Sequence, residues 1–452
     1  MSSYPSRQLM PSLSATTLVQ RLTARVSTYR WPLVITATLV MTAVFSLSPL
    51  VDIGHPEPGL AASLRTPIAY DLAAPASNVL DALTLLSPAQ YWATFGLCAA
   101  IFIALWSYRR IRARVPFETA RFVRAALGFA GGTIAIVGIM LVPTRPMALL
   151  ALGDRDLIAI DFHSHTDASH DGRAGFNAER NREWHSSSGF DVAYVTDHRT
   201  FDGALAGAAR NPARAGDRTV LLPGVELRDG DEHPILIGVD PKRMRITSPD
   251  WEGAAVAADG GPAPAMLLLS MPGDILRIPM SMTTGAVRVA GIEVSDGSPR
   301  GMAQSARDRE AILALAGKLH LAIVSATDNH GWGRTPPAWS VMRIPGWREM
   351  TPGELDIAIR RTIITRGPRA IEVIARRTAA PPRGKIAAAL SGIAVALVMM
   401  RTMSVTDRFS WIAWSWAFYF LSVLSARRRI DLRTRKRQRA GTKAPPMIDA
   451  AA

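Results

Sequence analysis

One strand-like segment that ends in two histidines places the tightest limits on how this chain can fold. The apolar run Leu157-Ile158-Ala159-Ile160 predicts a buried strand, and His163 and His165 follow it at positions i and i+2. Because alternate side chains leave a strand on the same face, both imidazoles should point into one pocket. Paired imidazoles are common metal ligands. The segment therefore predicts a metal site at a strand end.

Further residues of metal-binding type lie at the ends of other predicted strands. They are His198 after 190–196, Glu226 after 219–225, His233 before 234–239, and Asp328 and His330 after 321–327. Eight of the nine histidines fall between His163 and His330, which is less than half of the chain. This clustering is expected if the strands are parallel and their carboxyl ends meet at one mouth, as in a (β/α) barrel.

Five motifs in a fixed order carry a family resemblance. HSHTDASHDG, AYVTDH, LPGVEL, EHPILIG and SATDNH resemble the PHP (polymerase and histidinol phosphatase) superfamily of metal-dependent phosphoesterases. The resemblance covers roughly residues 155–335. The resemblance implies an α/β fold, a distorted (β/α)7 barrel, with two or three divalent metal ions, Zn, Mn or Fe. It also implies the metal ligands, which are His163, His165, Asp171, His198, Glu226, His233, Asp328 and His330.

Two positions depart from the family pattern. Met271 stands in the stretch 265–273 where the family usually has a histidine, and a thioether is a poor ligand for Zn or Mn. We therefore expect two ions rather than three. His170 is inserted between Ser169 and Asp171, so either His170 or Asp171 could be the ligand, and Asp171 is preferred.

The implied chemistry is hydrolysis of a phosphomonoester or phosphodiester by a metal-activated hydroxide. A bridging carboxylate such as Glu226 can hold two cations close together, and a water between them loses a proton near neutral pH. We expect Asp328 to orient or deprotonate that water and His198 or His330 to assist the leaving oxygen. Arg199 is a candidate for holding the phosphate, as is Arg228.

Several polar residues have a simpler interpretation. Both arginines, Arg199 and Arg228, could equally be surface charges on loops. His185 is expected on a helix away from the site. Glu293 ends a predicted strand and could line the pocket, but a loop carboxylate is the preferred interpretation. Asp197 is expected to support its neighbour rather than bind a metal ion.

Five apolar stretches without charge predict transmembrane helices, at 31–51, 91–108, 126–144, 386–400 and 409–426. A spanning helix needs about 20 apolar residues, with a lower limit near 17. The stretch 386–400 is short and could lie either in the bilayer or in the protein core. Buried core helices are the alternative for all five, but so many uncharged segments favour the membrane.

Charge is distributed in agreement with a membrane protein. Residues 151–375 carry 25 Lys and Arg against 29 Asp and Glu, so the excess of positive charge lies outside the central domain. Nine Lys and Arg between Arg427 and Lys443 form a basic tail directly after an apolar stretch. Such a tail is more simply a topology anchor than a nucleic-acid site.

The positive-inside rule gives an orientation with one conflict. Arginines before the first stretch and between Arg109 and Arg124 place both regions in the cytoplasm, so the central domain would lie on the periplasmic side of a bacterial-type inner membrane. Two further spans would then place the basic tail outside as well. The conflict disappears if 386–400 does not cross the bilayer.

Three regions and one function follow from these features. The regions are 1–150, a membrane region with about three transmembrane helices; 151–378, the phosphoesterase-like domain; and 379–452, with one or two transmembrane helices and the basic tail. We expect a membrane-anchored phosphoester hydrolase that contacts membrane lipids and does not bind nucleic acid. The alternatives are a non-catalytic metal-binding sensor or scaffold on the same fold, which Met271 favours, and a component of a transporter. Spans without charged residues do not favour the transporter.

Overall fold

Two structural units make up the chain in the computed structural model. One unit comprises Ser46–Met403, and the other comprises Met1–Phe45 with Ser404–Ala452. The structure describes residues 15–54, 61–142, 145–228, 230, 232–246, 251–258, 263–271, 273–278, 287–382 and 384–441. Among the features used above, Arg7 before the first apolar stretch and Lys443 in the basic tail lie outside the described residues.

The strands within the described residues are β1 (Leu50–Asp52), β2 (Ala62–Arg65), β3 (Leu149–Leu152), β4 (Leu157–Ser164), β5 (Val192–Val195), β6 (Val220–Glu226), β7 (His233–Ile237), β8 (Met266–Ser270), β9 (Arg288–Ser295), β10 (Ala322–Ser325), β11 (Ala338–Arg343) and β12 (Glu372–Arg376). Each strand predicted to precede or follow a candidate ligand is present, within a few residues of its expected bounds.

The helices within the described residues are α1 (Ala15–Val44), α2 (Ile68–Leu72), α3 (Ala74–Thr84), α4 (Pro88–Arg112), α5 (Thr119–Met140), α6 (Ala178–Ser188), α7 (Asp202–Ala208), α8 (Trp251–Ala258), α9 (Pro299–Leu319), α10 (Pro352–Arg366), α11 (Lys385–Thr402) and α12 (Val405–Gly441). Local sequence explains where α4 begins. A capping box of Ser87 and Gln90 with Pro88 at the first helical position starts α4.

A curled sheet organises the larger unit. Its strand order is β1-β12-β11-β4-β5-β6-β7-β8-β9-β10. The sheet curls so far that Ser325 of the last strand donates its N–H to Ser340 Oγ of β11, 2.8 Å away. All eight residues of β4 are buried, and an aliphatic or aromatic side chain buried there contributes about 1.5–3 kcal/mol. The predicted α/β class is therefore confirmed, with a half-barrel sheet.

The strand directions differ from a uniformly parallel barrel. β4, β5 and β6 run parallel, as do β8, β9 and β10, but β7 is antiparallel to both of its neighbours. β6 and β7 are joined only by residues 227–232, and a parallel crossover needs about a dozen residues or more. The reversal puts the first residue of β7, His233, beside the last residues of β6 and β8. We call this end of the sheet, where β4, β5 and β6 terminate, the mouth.

The predicted membrane segments are matched only in part. Among the described residues, α4 and α5 are long and apolar enough to cross a membrane, and α11 with the first part of α12 qualifies only as a pair bent at a break. The predicted span at 31–51 is too long at its C-terminal end. The apolar part of α1 ends at Val44, and Leu50–Asp52 is strand β1, which pairs with β12. Pro49 and two nearby serines stop the helix before the apolar run is complete.

Each unit has its own helix contacts. In the larger unit, Gly392 of α11 lies against Thr94 and Leu97 of α4, and a Cβ at this glycine would be 2.9 Å from Leu97 Cδ2. In the smaller unit, the rings of Trp31 and Tyr419 lie 6.0 Å apart and join α1 to α12.

Candidate metal centre

The two histidines of the first motif meet the carboxylate that ends β6. Nε2 of His163 and Nε2 of His165 are 3.0 Å apart, and Glu226 Oε2 lies 3.1 Å from the first and 3.2 Å from the second. All three side chains are buried. β4 and β6 flank β5, so their carboxyl ends are neighbours at the mouth.

Glu226 also belongs to a second group. Its Oε1 lies 2.6 Å from His233 Nδ1, and its Oε2 lies 3.3 Å from His198 Nδ1. One ligand atom from each of the three residues in this second group lies within 4.8 Å of the other two, as in the first group. The two oxygens of one carboxylate are therefore shared between two sets of ligand-type atoms.

Asp171 joins a third group at the edge of the cluster. Its Oδ2 lies 3.3 Å from His198 Nε2 and 3.2 Å from His330 Nε2. The side chain of His170, by contrast, is 77% exposed and is not among the grouped ligand atoms of the described residues. The ring of His170 does lie 4.9 Å from that of His198, but of the two residues that the sequence left open, Asp171 is the one whose side chain is grouped with other ligand atoms.

Asp328 contacts several groups at once. Its Oδ1 lies 3.3 Å from His165 Nε2 and 3.3 Å from His330 Nδ1. Its backbone has a φ of +46°, in the left-handed region, and its N–H donates to the carbonyl of His163 at 3.0 Å. A non-glycine residue in this region costs energy, and such positions cluster at functional sites. The strained turn after β10 is what brings the carboxylate back over the end of β4.

Charge separation inside the cluster is strong. Burial alone would raise the pKa of the Glu226 carboxyl, but the charge of His163 and hydrogen bonds from nearby imidazoles hold it well below its ordinary value. Burial lowers the pKa of His165, but hydrogen bonds to Asp328 and Glu226 outweigh it and raise the pKa to about 9. The pKa of Asp328 is likewise held low against burial, first by His165. Glu226 and Asp328 are therefore ionised, and positive charge beside them stabilises the ionised form.

These residues fit divalent metal ions. Two imidazole nitrogens 3.0 Å apart cannot both present lone pairs unless a cation or a proton lies between them. Among the described residues, Nε2 of His330 is buried and has no hydrogen-bond partner, although the Asp171 carboxylate lies nearby. Imidazole and carboxylate donors together suit Zn, Mn or Fe.

Glu293 lies beside the candidate ligands, although the interpretation preferred from the sequence was a loop carboxylate. It lies on β9 and is fully buried, with Oε1 3.0 Å from His163 Nδ1 and Oε2 accepting the N–H of Met271 at 2.8 Å. The expectation that it is a loop carboxylate is wrong. The available signal was its place inside an apolar strand, where an unpaired glutamate is rarely tolerated. Burial raises its pKa to about 7, against the charge of His163.

Two buried carboxylates outside the ligand groups, Asp161 and Asp197, hold segments next to the cluster in place. His185 Nε2 lies 2.8 Å from Asp161 Oδ2, and Asp161 Oδ1 accepts the N–H of Thr327 at 3.0 Å, which ties β4 to the turn after β10. Asp197 accepts the backbone N–H of Thr166 at 2.6 Å and its hydroxyl at 2.8 Å. His185 therefore stands away from the ligand groups, and Asp197 holds the segment that follows His165.

The two candidate phosphate-binding arginines are both exposed. Arg199 has a φ of +55°, and its N–H donates to the carbonyl of Glu226 at 3.2 Å, which places it next to the cluster in the chain fold. Arg228 Nε donates to the carbonyl of Gly230 at 3.1 Å. Arg199 is thus the arginine whose backbone is bound to a ligand residue.

Comparison with known proteins gives structural neighbours only. No protein-family model and no curated protein matches the sequence. The chain is similar to the solved structure of PsfC from Pseudomonas syringae, with 16% identity and a TM-score of 0.35 over 53% of this chain and 98% of that one. A two-domain protein from Bacteroides vulgatus that contains a predicted PHP-like metal-dependent phosphoesterase gives 17% and 0.31, over 45% and 63%.

A third neighbour is the lesion-specific endonuclease PfuEndoQ from Pyrococcus furiosus. It shares 13% identity at a TM-score of 0.33, over 48% of this chain and 57% of that one. All three TM-scores lie below 0.5, so the function of this chain has to be inferred from its own residues.

Proposed function

We propose that this chain is a membrane-anchored, metal-dependent phosphoesterase on a PHP-like, distorted (β/α)7 barrel, with its hydrolase domain at 151–378. The observation that carries the proposal is the double use of Glu226. One oxygen lies 3.1–3.3 Å from nitrogens of three histidines, and the other lies 2.6 Å from His233. A carboxylate shared in this way is suited to hold two cations side by side.

The proposed ligand sets follow from the groups of side chains. His163, His165 and Glu226, with Asp328, would hold one ion. His198, His233 and Glu226 would hold a second ion through Nδ1 of His198. Asp171 and His330 adjoin Nε2 of the same ring and, with His165, form the alternative position for that ion. Bound divalent cations supply Lewis-acid catalysis, because they make a water molecule more acidic and neutralise charge on a phosphoryl oxygen.

The protein side chains have separate tasks in this proposal. Asp328 is ionised and partly open to solvent, so it can orient the attacking water and accept its proton. His198, with its side chain 15% exposed, can give a proton to the leaving oxygen. Arg199 can bind the phosphate from the rim of the mouth.

A metal-binding sensor or scaffold is the second candidate, and Met271 favours it. Met271 is fully buried beside Glu293, and its Sδ accepts a hydrogen bond from Ser305 Oγ at 3.5 Å, so the position offers no ordinary ligand. The sensor would bind metal through the same residues but would not turn over a phosphoester.

Anchoring is proposed through α4 and α5. Arg109, Arg110 and Arg112 occupy the last turn of α4, at the end remote from the hydrolase domain. The positive-inside rule would keep this end in the cytoplasm and the hydrolase domain on the periplasmic side of a bacterial-type inner membrane.

Hydrolysis assays on the full-length protein, purified in detergent without chelator, test the proposal. We expect hydrolysis of a chromogenic phosphomonoester or phosphodiester that falls at least about 100-fold in Asp328→Asn. His320→Asn, at an exposed histidine outside the cluster, should retain full activity. Turnover that is absent in the parent after addition of Mn or Zn, with metal still bound, would favour the sensor. A DNA oligonucleotide in the same assay tests the expectation that nucleic acid is not a substrate.

A further inference from the structure

The candidate spans and the metal cluster lie at the same end of the sheet. α4 begins at Pro88 shortly after α3, α5 ends at Met140, and α11 begins at Lys385 after β12. β12 runs parallel to β4 because both are antiparallel to β11, so its last residue, Arg376, reaches the mouth before the chain enters α11. The ends of these helices that adjoin the sheet are therefore all on the side of the mouth.

A loop that directly follows a proposed ligand contacts the chain just after α5 and shortly before α4. We call residues 331–335, immediately after His330, the mouth loop. A Cβ at Gly333 would overlap the carbonyl oxygen of Val142, just past the end of α5. Arg334 donates from Nη2 to the carbonyl of Thr84 at 2.9 Å, close to the start of α4. The mouth loop thus lies against the chain just past the end of α5 and against the last residue of α3, four residues before α4 begins.

Arg173 makes a second bridge between the cluster and α5. Its backbone N–H donates to the carbonyl of His330 at 3.0 Å, and its Nη1 donates to the carbonyl of Leu141 at 2.8 Å. Its guanidinium lies 5.2 Å from the ring centre of Trp332, which is 42% exposed. Tryptophan and arginine side chains of this kind are typical of the membrane–water interface.

A buried polar network fixes this arrangement. Asp81 of α3 accepts from Arg145 Nη1 at 2.6 Å and from the hydroxyl of Thr335 at 2.9 Å. Arg145 Nε in turn donates to the carbonyl of Gly333 at 3.2 Å. Asp81, Arg145 and Thr335 are each at least nine-tenths buried. The orientation of the mouth toward the spans is therefore built into the fold and does not depend on a hinge.

Chain geometry limits the distance between the cluster and the bilayer. Gly333 is three positions after His330 in the chain, and three residues cover at most about 11 Å. The polar headgroup layer on each side of a bilayer is about 5–8 Å thick. If α4 and α5 cross the membrane, the cluster lies within reach of headgroup phosphates.

We infer that the substrate of this centre is a phosphoester carried by a membrane lipid, which enters the mouth from the bilayer surface. The inference rests on the proposed function and adds the substrate class. In the reaction, the water oxygen forms a bond to phosphorus, the ester P–O bond breaks, and the lipid alcohol takes up a proton. For a monoester the products are the lipid alcohol, which stays in the bilayer, and inorganic phosphate.

Activity on matched lipid and soluble esters tests the substrate class. Full-length protein would be assayed on phosphatidic acid and phosphatidylglycerol in mixed micelles, beside glycerol 3-phosphate, glycerophosphoglycerol and a chromogenic phosphoester at equal bulk concentration. We expect at least one of the two lipids to be hydrolysed at least ten times faster than its soluble counterpart, with a rate that falls when detergent dilutes the lipid in the micelle surface. Equal or slower hydrolysis of both lipids, with the chromogenic ester still turned over, overturns the lipid inference alone. No hydrolysis of any ester overturns the proposed function itself.

A depth measurement tests the orientation independently of activity. Cys98 is the only cysteine, so a Cys98→Ser background allows one spin label at Trp332→Cys and, separately, at Arg343→Cys. Arg343 pairs with Leu157 at the far end of β4, whose eight residues span about 23–26 Å. In liposomes, we expect the label at 332 to be relaxed more by lipid-soluble oxygen than by an aqueous nickel chelate, and the label at 343 to show the reverse. Equal aqueous exposure at both positions overturns the inference.

Discussion

Oε1 of Glu293 lies 3.0 Å from Nδ1 of His163, on the side of the ring opposite the nitrogen that faces Glu226. A carboxylate at this position fixes the tautomer and orientation of a ligating imidazole and raises its basicity. Glu293 is therefore a positioning residue for the cluster rather than a spare surface acid.

Glu293→Gln is expected to weaken metal binding about 10- to 100-fold, because the amide no longer holds the His163 imidazole by charge. Competition with a chelating dye measures the change in affinity. Glu349→Gln is the matched control, since Glu349 is exposed at 71% and pairs only with Arg214 among described contacts. Equal metal affinities in the two variants would remove Glu293 from the site.

Asp171 and His170 can be separated by paired substitutions. Asp171→Asn should reduce the metal content by about one ion per chain, because the carboxylate lies between His198 and His330. His170→Ala should leave the metal content unchanged, because its side chain is largely exposed. Elemental analysis of both purified proteins decides the question, and the opposite pattern would make His170 the ligand.

The number of ions depends on Met271. Met271→His should raise the metal content from two to three per chain, because the new imidazole would adjoin the buried group of His163, Glu293 and Asp296. Burial raises the pKa of Asp296 well above its ordinary value, so a third cation would also remove the cost of a buried carboxyl there. Elemental analysis measures the change. A content that stays at two would mean that the imidazole does not reach this group.

The structure brings proposed ligands together, whereas the directions of the strands around them differ from the prediction. Proposed ligands such as His163, Glu226 and Asp328 lie together because they sit at strand ends, and strand ends can be read from runs of apolar residues. The position of Glu293 in an apolar strand was a signal that it could line the pocket, but the sequence does not show which side chain it contacts. Its role depends on a contact between β9 and β4, strands far apart in the sheet order, which only curling of the sheet brings together.

Hydropathy was least reliable where apolar runs cross an element boundary. The run 31–51 reads as one span, but its last residues form β1, since Leu50 and Val51 satisfy their backbone groups against β12. Likewise, the antiparallel direction of β7 follows from the length of a loop rather than from the composition of the strand. Tertiary pairing with β12 decided the first case and the length of the connecting loop decided the second.

Asp191 makes stability depend on pH. Burial raises its pKa to about 6, although its carboxylate accepts the N–H of Ala159 at 2.9 Å. A raised folded-state pKa gives stability that is present below about pH 4 and lost as the pH rises through 6. Asp191→Asn should therefore gain about 2–3 kcal/mol of unfolding free energy over the parent between pH 4 and pH 7.5. Urea unfolding at both pH values measures this, and a constant difference would contradict it.

The two-metal proposal is tested by the metal content of the full-length protein beside that of Glu226→Gln, with phosphoesterase activity measured on the same samples. We expect two ions per chain and turnover in the parent. We expect less than one ion and no turnover in the variant, because both ions would share this carboxylate. Circular dichroism would verify that the variant is folded. Two ions and full activity in Glu226→Gln would rule the proposal out.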